Sequence, residues 1–111
     1  MVSFKVYKQV SKEIDEQLVG QSIGGIKITG KVTHFIDRVI GEYQESDYKQ
    51  KGKRQGVPIK ALKSIIEANP KPSKKKVNER GERSISFDFG GYRLTIDPDN
   101  GKLIQTNKVQ K

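Results

Sequence analysis

Apolar residues recur along this chain with two periods. From Thr33 to Tyr43 the residues Phe35, Ile36, Val39, Ile40 and Tyr43 stand at helical spacing, which gives the stretch one apolar face and one polar face. Thr33 is suited to cap this helix, and Gly41 offers an exit where a positive φ costs little. A second helix is predicted from Pro58, with Ile59, Leu62, Ile65 and Ile66 on one side, Lys60 and Lys63 on the other, and Asn69-Pro70 as its end. Ser11-Lys12-Glu13-Ile14 reads as the start of a short helix that buries Ile14 and Leu18 and stops at Gly20. Ahead of it, Val2, Phe4 and Val6 alternate with polar partners, as in a short strand or an extended lead-in.

Toward the C-terminus the period falls to two. Ile85, Phe87 and Phe89 alternate with Ser84, Ser86 and Asp88; after Gly90-Gly91, Tyr92, Leu94 and Ile96 alternate with Arg93, Thr95 and Asp97. This is a hairpin with one oily face. The turn Asp97-Pro98-Asp99-Asn100-Gly101 leads to a third strand from Lys102 to Asn107, and the lysine-rich connection from Pro70 to Val77 offers an edge strand. The pattern predicts one α+β domain over residues 1–111, with 1–20 as a lead-in and short helix. N-terminal helices pack on a C-terminal antiparallel sheet of three or four strands. Ser86 and Thr95 point away from the oily side, and the register of the last strand decides whether Thr106 or Gln105 joins them.

Charge sharpens this picture. The chain of 111 residues carries +9, and residues 49–83 hold twelve of its twenty-two Lys and Arg but three of its thirteen Asp and Glu. Such a segment attracts polyanions and binds phosphates by releasing their counterions, although a lysine run can also be a merely solubilising surface. There is no cysteine, so disulfides and thiolate metal sites are excluded. No apolar run approaches the roughly 18 residues of a membrane span, and no secretion signal is evident, so any export is expected to be directed from elsewhere.

Two motifs fail on inspection. Gly25 to Lys31 fits G-x-x-x-x-G-K, but Val32 stands where a hydroxyl should bind magnesium, and Ile26 and Ile28 alternate like a strand. Asp97 and Asp99 hint at a calcium loop, yet Lys102 and Lys108 occupy its glycine and glutamate positions. With a single histidine and no G-x-S-x-G elbow, metal-dependent and serine hydrolysis both lack their parts.

One reaction needs only what the chain has. RNA brings its own nucleophile, the 2′-hydroxyl, so cleavage requires a proton acceptor, a proton donor and cations at the phosphorus. His34 supplies an imidazole that exchanges protons near neutral pH, and Arg38, four residues on, shares its side of the helix. Arg54 adds a second guanidinium, and Ser86, Thr95 or Thr106 adds hydroxyl donors from the sheet. Lys53, Lys60, Lys74 and Lys75 are expected to guide the RNA backbone, with no metal or other cofactor. The competing structural roles are plain: His34 as a packing residue, Arg38 paired with Asp37 or Glu42, and strand hydroxyls facing solvent.

The run Thr29-Gly30-Lys31, Thr33-His34-Phe35, Arg38, Arg54-x-Gly56-Val57, Ile65, Asn69-Pro70 and Arg83-Ser84, followed by Thr95 through Asn107, resembles small C-terminal toxin domains. Such domains occur on phage minor head proteins and on secreted bacterial polymorphic toxins. They are similar to the superfamily of barnase, EndoU, colicin D and RelE, and the likeness covers about residues 24–107. It implies helices before an antiparallel sheet, metal-independent RNA cleavage to a 2′,3′-cyclic phosphate, and a structured substrate such as tRNA. It further implies His34 as acid/base, Arg38 and Arg54 on phosphate, and Ser86 or Thr106 completing the site. An acidic immunity protein, and delivery from a larger protein into the cytoplasm of a target bacterium, belong to the same implication. A non-catalytic basic nucleic-acid-binding module of a phage or mobile element, and a structural virion domain, are the alternatives.

Overall fold

A computed structural model of the chain describes residues 4–40 and 56–109. Helix α1, Phe4–Gln17, opens the fold, and the hairpin β1, Ser22–Ile23, with β2, Ile26–Lys27, follows it. Next come the short strand β3, Gly30–Lys31, and the helices α2, Thr33–Ile40, and α3, Ile59–Ala68. Four strands complete the domain: β4, Pro72–Val77; β5, Arg83–Phe89; β6, Tyr92–Ile96; and β7, Lys102–Lys108.

The N-terminal segment corrects the sequence reading. The alternation of Val2, Phe4 and Val6 suggests an extended lead-in, but one helix runs from Phe4 through Ser11 to Gln17. The stronger signal is the stripe Tyr7, Val10, Ile14 and Leu18, at helical spacing, which packs on or into the core. Ser11 therefore lies inside the helix rather than capping it. Gly20, at φ +97, turns the chain out, and its amide donates to the Ile28 carbonyl. Where the failed phosphate-loop motif begins, Gly24 and Gly25 form the hairpin turn, both at positive φ as a primed turn requires. A Cβ on Gly24 would stand 2.6 Å from the Phe87 ring.

Helix α3 buries Leu62, Ile65 and Ile66 and ends at Asn69, whose left-handed backbone returns its amide to the Ile65 carbonyl. The Asn69 side chain also accepts from the Gly24 amide at 2.8 Å, joining the helix end to the hairpin turn. On α2, Phe35, Ile36 and Val39 are buried as the spacing predicts; Gly41 and Tyr43 lie outside the described residues.

The main sheet has the order β3-β7-β6-β5-β4. Its last four strands pair antiparallel, as expected, but β3 adds to β7 in parallel, so the sheet is mixed and five-stranded. Two residues of β3 carry no readable period, and their pairing is fixed from outside. The turn after β6 presses on the segment behind β2: Thr29 donates its amide to Gly101 and its hydroxyl to Asn100. Gly101, at φ +80, has room for no Cβ, since one would come within 2.3 Å of the Lys27 carbonyl. Phe87, Leu94, Ile96 and Leu103 face the helices and join them in one core.

Candidate nucleic-acid interface

Register assigns the side chains of the other face. Lys74, Ser86, Thr95 and Gln105 are successive cross-strand partners, while Phe87, Leu94 and Thr106 form the neighbouring row on the core side. The open face therefore carries Lys74 and Lys76 from β4, Ser84, Ser86 and Asp88 from β5, Arg93 and Thr95 from β6, and Gln105 and Asn107 from β7. No described helix packs over it.

Its centre is a hydroxyl pair, Ser86 Oγ and Thr95 Oγ1, 2.8 Å apart, in which Ser86 is itself buried, 8% exposed. Beside it Arg93 grips Asp88 through Nε at 2.7 Å and Nη2 at 2.9 Å. The Arg93 hydrogen bonds hold the Asp88 carboxyl below the usual carboxylate range, against the opposing effect of burial. Lys74 stands next to Lys76 and within the field of Arg93, and these like charges push its ammonium below the ordinary lysine value. Cations thus flank the hydroxyl pair: Lys74 shares its row, Lys76 lies in the Ser84 row on one side, and Arg93, tied to Asp88, lies on the other.

Thr106 corrects the expected site. It is fully buried, its hydroxyl donates to the Arg93 carbonyl at 2.6 Å, and Gln105 holds the place beside Thr95. A β-bulge between Thr95 and Ile96 leaves Ile104 without a partner on β6, and the parity of the strand beyond it follows that irregularity. A hydroxyl with no exposed surface cannot touch RNA.

The histidine lies in the helical layer. His34 is exposed on α2, outside the buried set Phe35, Ile36 and Val39, so it is not a packing residue. Arg38 Nε donates to His34 Nε2 at 2.8 Å, and among the described residues Arg38 forms no ion pair with Asp37. Lys60 is exposed on α3 in the same layer, on the opposite side of the core from Ser86. Lys75 is exposed on β4 but belongs to the helix-side row, opposite Ile85. Lys53, Arg54 and Glu42 lie outside the described residues. The residues expected to form one site thus fall into two groups: His34 with Arg38, and Ser86, Thr95 and Lys74. No hydrogen bond links them.

Sequence reasoning set Asp88 and Arg93 on the polar side of the hairpin by their alternation, but named neither of them, nor Lys76, among the site residues. The signal was present: closing the hairpin at Gly90-Gly91 sets Arg93 opposite Asp88. Asp97 accepts from the Asp99 amide and Asp99 binds Arg83 at 2.7 Å, as a turn requires; among the described residues no three His, Asp or Glu converge as metal ligands. No described helix is long and apolar enough to cross a membrane. Searches of protein-family models, curated proteins and solved structures find no match to this chain.

Proposed function

We propose that the chain is a metal-independent endoribonuclease domain of the barnase, EndoU, colicin and RelE type, acting as a toxin on structured RNA such as tRNA. The observation that carries this reading is the exposed pair of His34 and Arg38, joined at 2.8 Å. Through Nε, Arg38 occupies the lone pair of His34 Nε2, which leaves its terminal nitrogens for phosphate oxygens. A phosphate that draws the guanidinium to itself frees Nε2 to accept the 2′-hydroxyl proton. The 2′-oxygen then bonds to phosphorus, the 5′-oxygen departs with a proton taken from water, and a 2′,3′-cyclic phosphate remains; His34 later returns its proton to solvent. Helices followed by an antiparallel meander with a polar outer face support the fold expected of this superfamily; the parallel β3 is an addition to it.

The same reading includes an acidic immunity protein matched to the +9 charge and delivery from a larger protein into a target bacterium's cytoplasm. A second reading, a non-catalytic nucleic-acid-binding module, is favoured by Lys74, Lys75 and Lys76, all exposed on one strand.

The deciding experiment incubates the wild type and His34→Ala with total RNA in excess EDTA and reads the fragment ends. Cyclic phosphates from the wild type, with at least about a hundredfold loss in the variant, are expected. RNA binding should be nearly unchanged, because His34 is exposed and the basic excess that attracts RNA lies in residues 49–83. Binding by both proteins with cleavage by neither would leave the binding module as the function.

A further inference from the structure

Among the described residues, the last strand of the sheet has no partner along its outer side. All six residues of β4, Pro72–Val77, are exposed, and β5 is the one strand of the sheet that pairs with it. Every second residue of such an edge turns its N–H and C=O outward without a strand partner. Pro72 has no N–H, and a bulge separates it from Lys74, so the usable edge begins at Lys74. Lys74 and Lys76 lie on the open face, while Lys75 and Val77 lie on the helix side beyond the cover of α3, with Val77 66% exposed. The edge therefore presents ammonium groups above and below its plane, and no described carboxylate forms an ion pair with any of the three lysines.

We infer that β4 is a docking strand for an acidic extended segment of a partner polypeptide, which adds to the sheet as a further strand. Charge complementarity selects the occupant. A second copy of this chain would set lysine against lysine along the pairing, which is unfavourable at each position. A basic strand is repelled by the lysine heads, and a neutral one gains nothing from them beyond its backbone pairing. A segment with consecutive carboxylates meets Lys74, Lys75 and Lys76 on both faces, and an apolar residue in it covers Val77. RNA matches the edge less well, because phosphates accept hydrogen bonds but cannot donate to the outward carbonyls, whereas a polypeptide does both. That the partner inhibits the domain rests on the proposed ribonuclease function; the docking itself does not.

The test uses the whole domain and a synthetic eight-residue peptide with three consecutive glutamates flanked by valine and threonine. A second peptide carries lysines in their place, and an RNA oligonucleotide is the third ligand. Amide hydrogen exchange is read residue by residue. The glutamate peptide is expected to slow exchange at outward amides between Lys74 and Val77. The variant Lys74→Glu/Lys75→Glu/Lys76→Glu should bind that peptide about tenfold more weakly and should take the lysine peptide instead. These side chains are exposed, so the variant should keep the wild-type thermal midpoint. The inference is overturned if the glutamate peptide fails to bind, if it binds without protecting those amides, or if the RNA protects them as well as the peptide does. Cleavage of RNA by a protein that shows no such protection would sink the docking strand and spare the ribonuclease; protection without cleavage would do the reverse.

Discussion

The Thr106 hydroxyl, fully buried, spends its proton on the carbonyl of Arg93, so its work is structural. Thr106→Val removes the donor and leaves that carbonyl unsatisfied. A loss of about 1 kcal/mol in urea unfolding, with RNA cleavage unchanged, is the expected outcome. A variant of full stability that had lost cleavage would return Thr106 to the site. The residue's place turns on one irregularity in the chain. Alternation made the polar face of β5 and β6 readable from Ser86 and Thr95, but the bulge at Thr95 and Ile96 leaves no mark in the residue pattern. His34 was legible for the opposite reason: a single imidazole beside a helical stripe has its exposure fixed by the spacing of Phe35, Ile36 and Val39.

At the scale of elements, the two bonds between Arg93 and Asp88 fasten β6 to β5 on the side away from the core. The native Asp88 carboxyl titrates below its ordinary range, so this stabilisation is fully present above the unfolded carboxylate pKa. It is lost as pH falls through that value toward the depressed native one. Asp88→Asn should therefore be less stable than the wild type by about 1 kcal/mol at neutral pH, and the gap should close below about pH 4. Urea unfolding of both proteins at stepped pH measures it; a gap that persists at low pH would assign the loss to something other than charge. Helices α2 and α3 and strands β5 to β7 were legible because each buries one face and so writes its period into the sequence. Helix α1 was half legible. Its stripe from Tyr7 to Leu18 competes with a local alternation of period two, and tertiary packing on α2 and α3 decides between them.

Across the whole molecule, the basic excess lies in the stretch that contains α3 and β4, on both sides of the core. RNA association should therefore be governed by counterion release. The logarithm of the binding constant should fall linearly with the logarithm of salt, by about 0.7 per phosphate engaged on a single strand, and Lys74→Glu/Lys75→Glu/Lys76→Glu should flatten that slope. Binding that is insensitive to salt would place recognition elsewhere than in these charges. The α+β class was legible because runs of helical and alternating period are separated along the chain. The division of the expected site between two layers was not, since spacing says which residues share an element and nothing about which side of the sheet that element covers.

Strand β3 ties the first third of the chain to its final strand: Gly30 and Lys31 pair with Lys102 and Leu103, and the Val32 amide reaches the Leu103 carbonyl. During synthesis residues 30–32 leave the ribosome long before their partners exist, and they wait unpaired until β7 follows. The sheet therefore cannot be completed until residues 102–108 have emerged, and its last pairing is one of the most distant in the sequence.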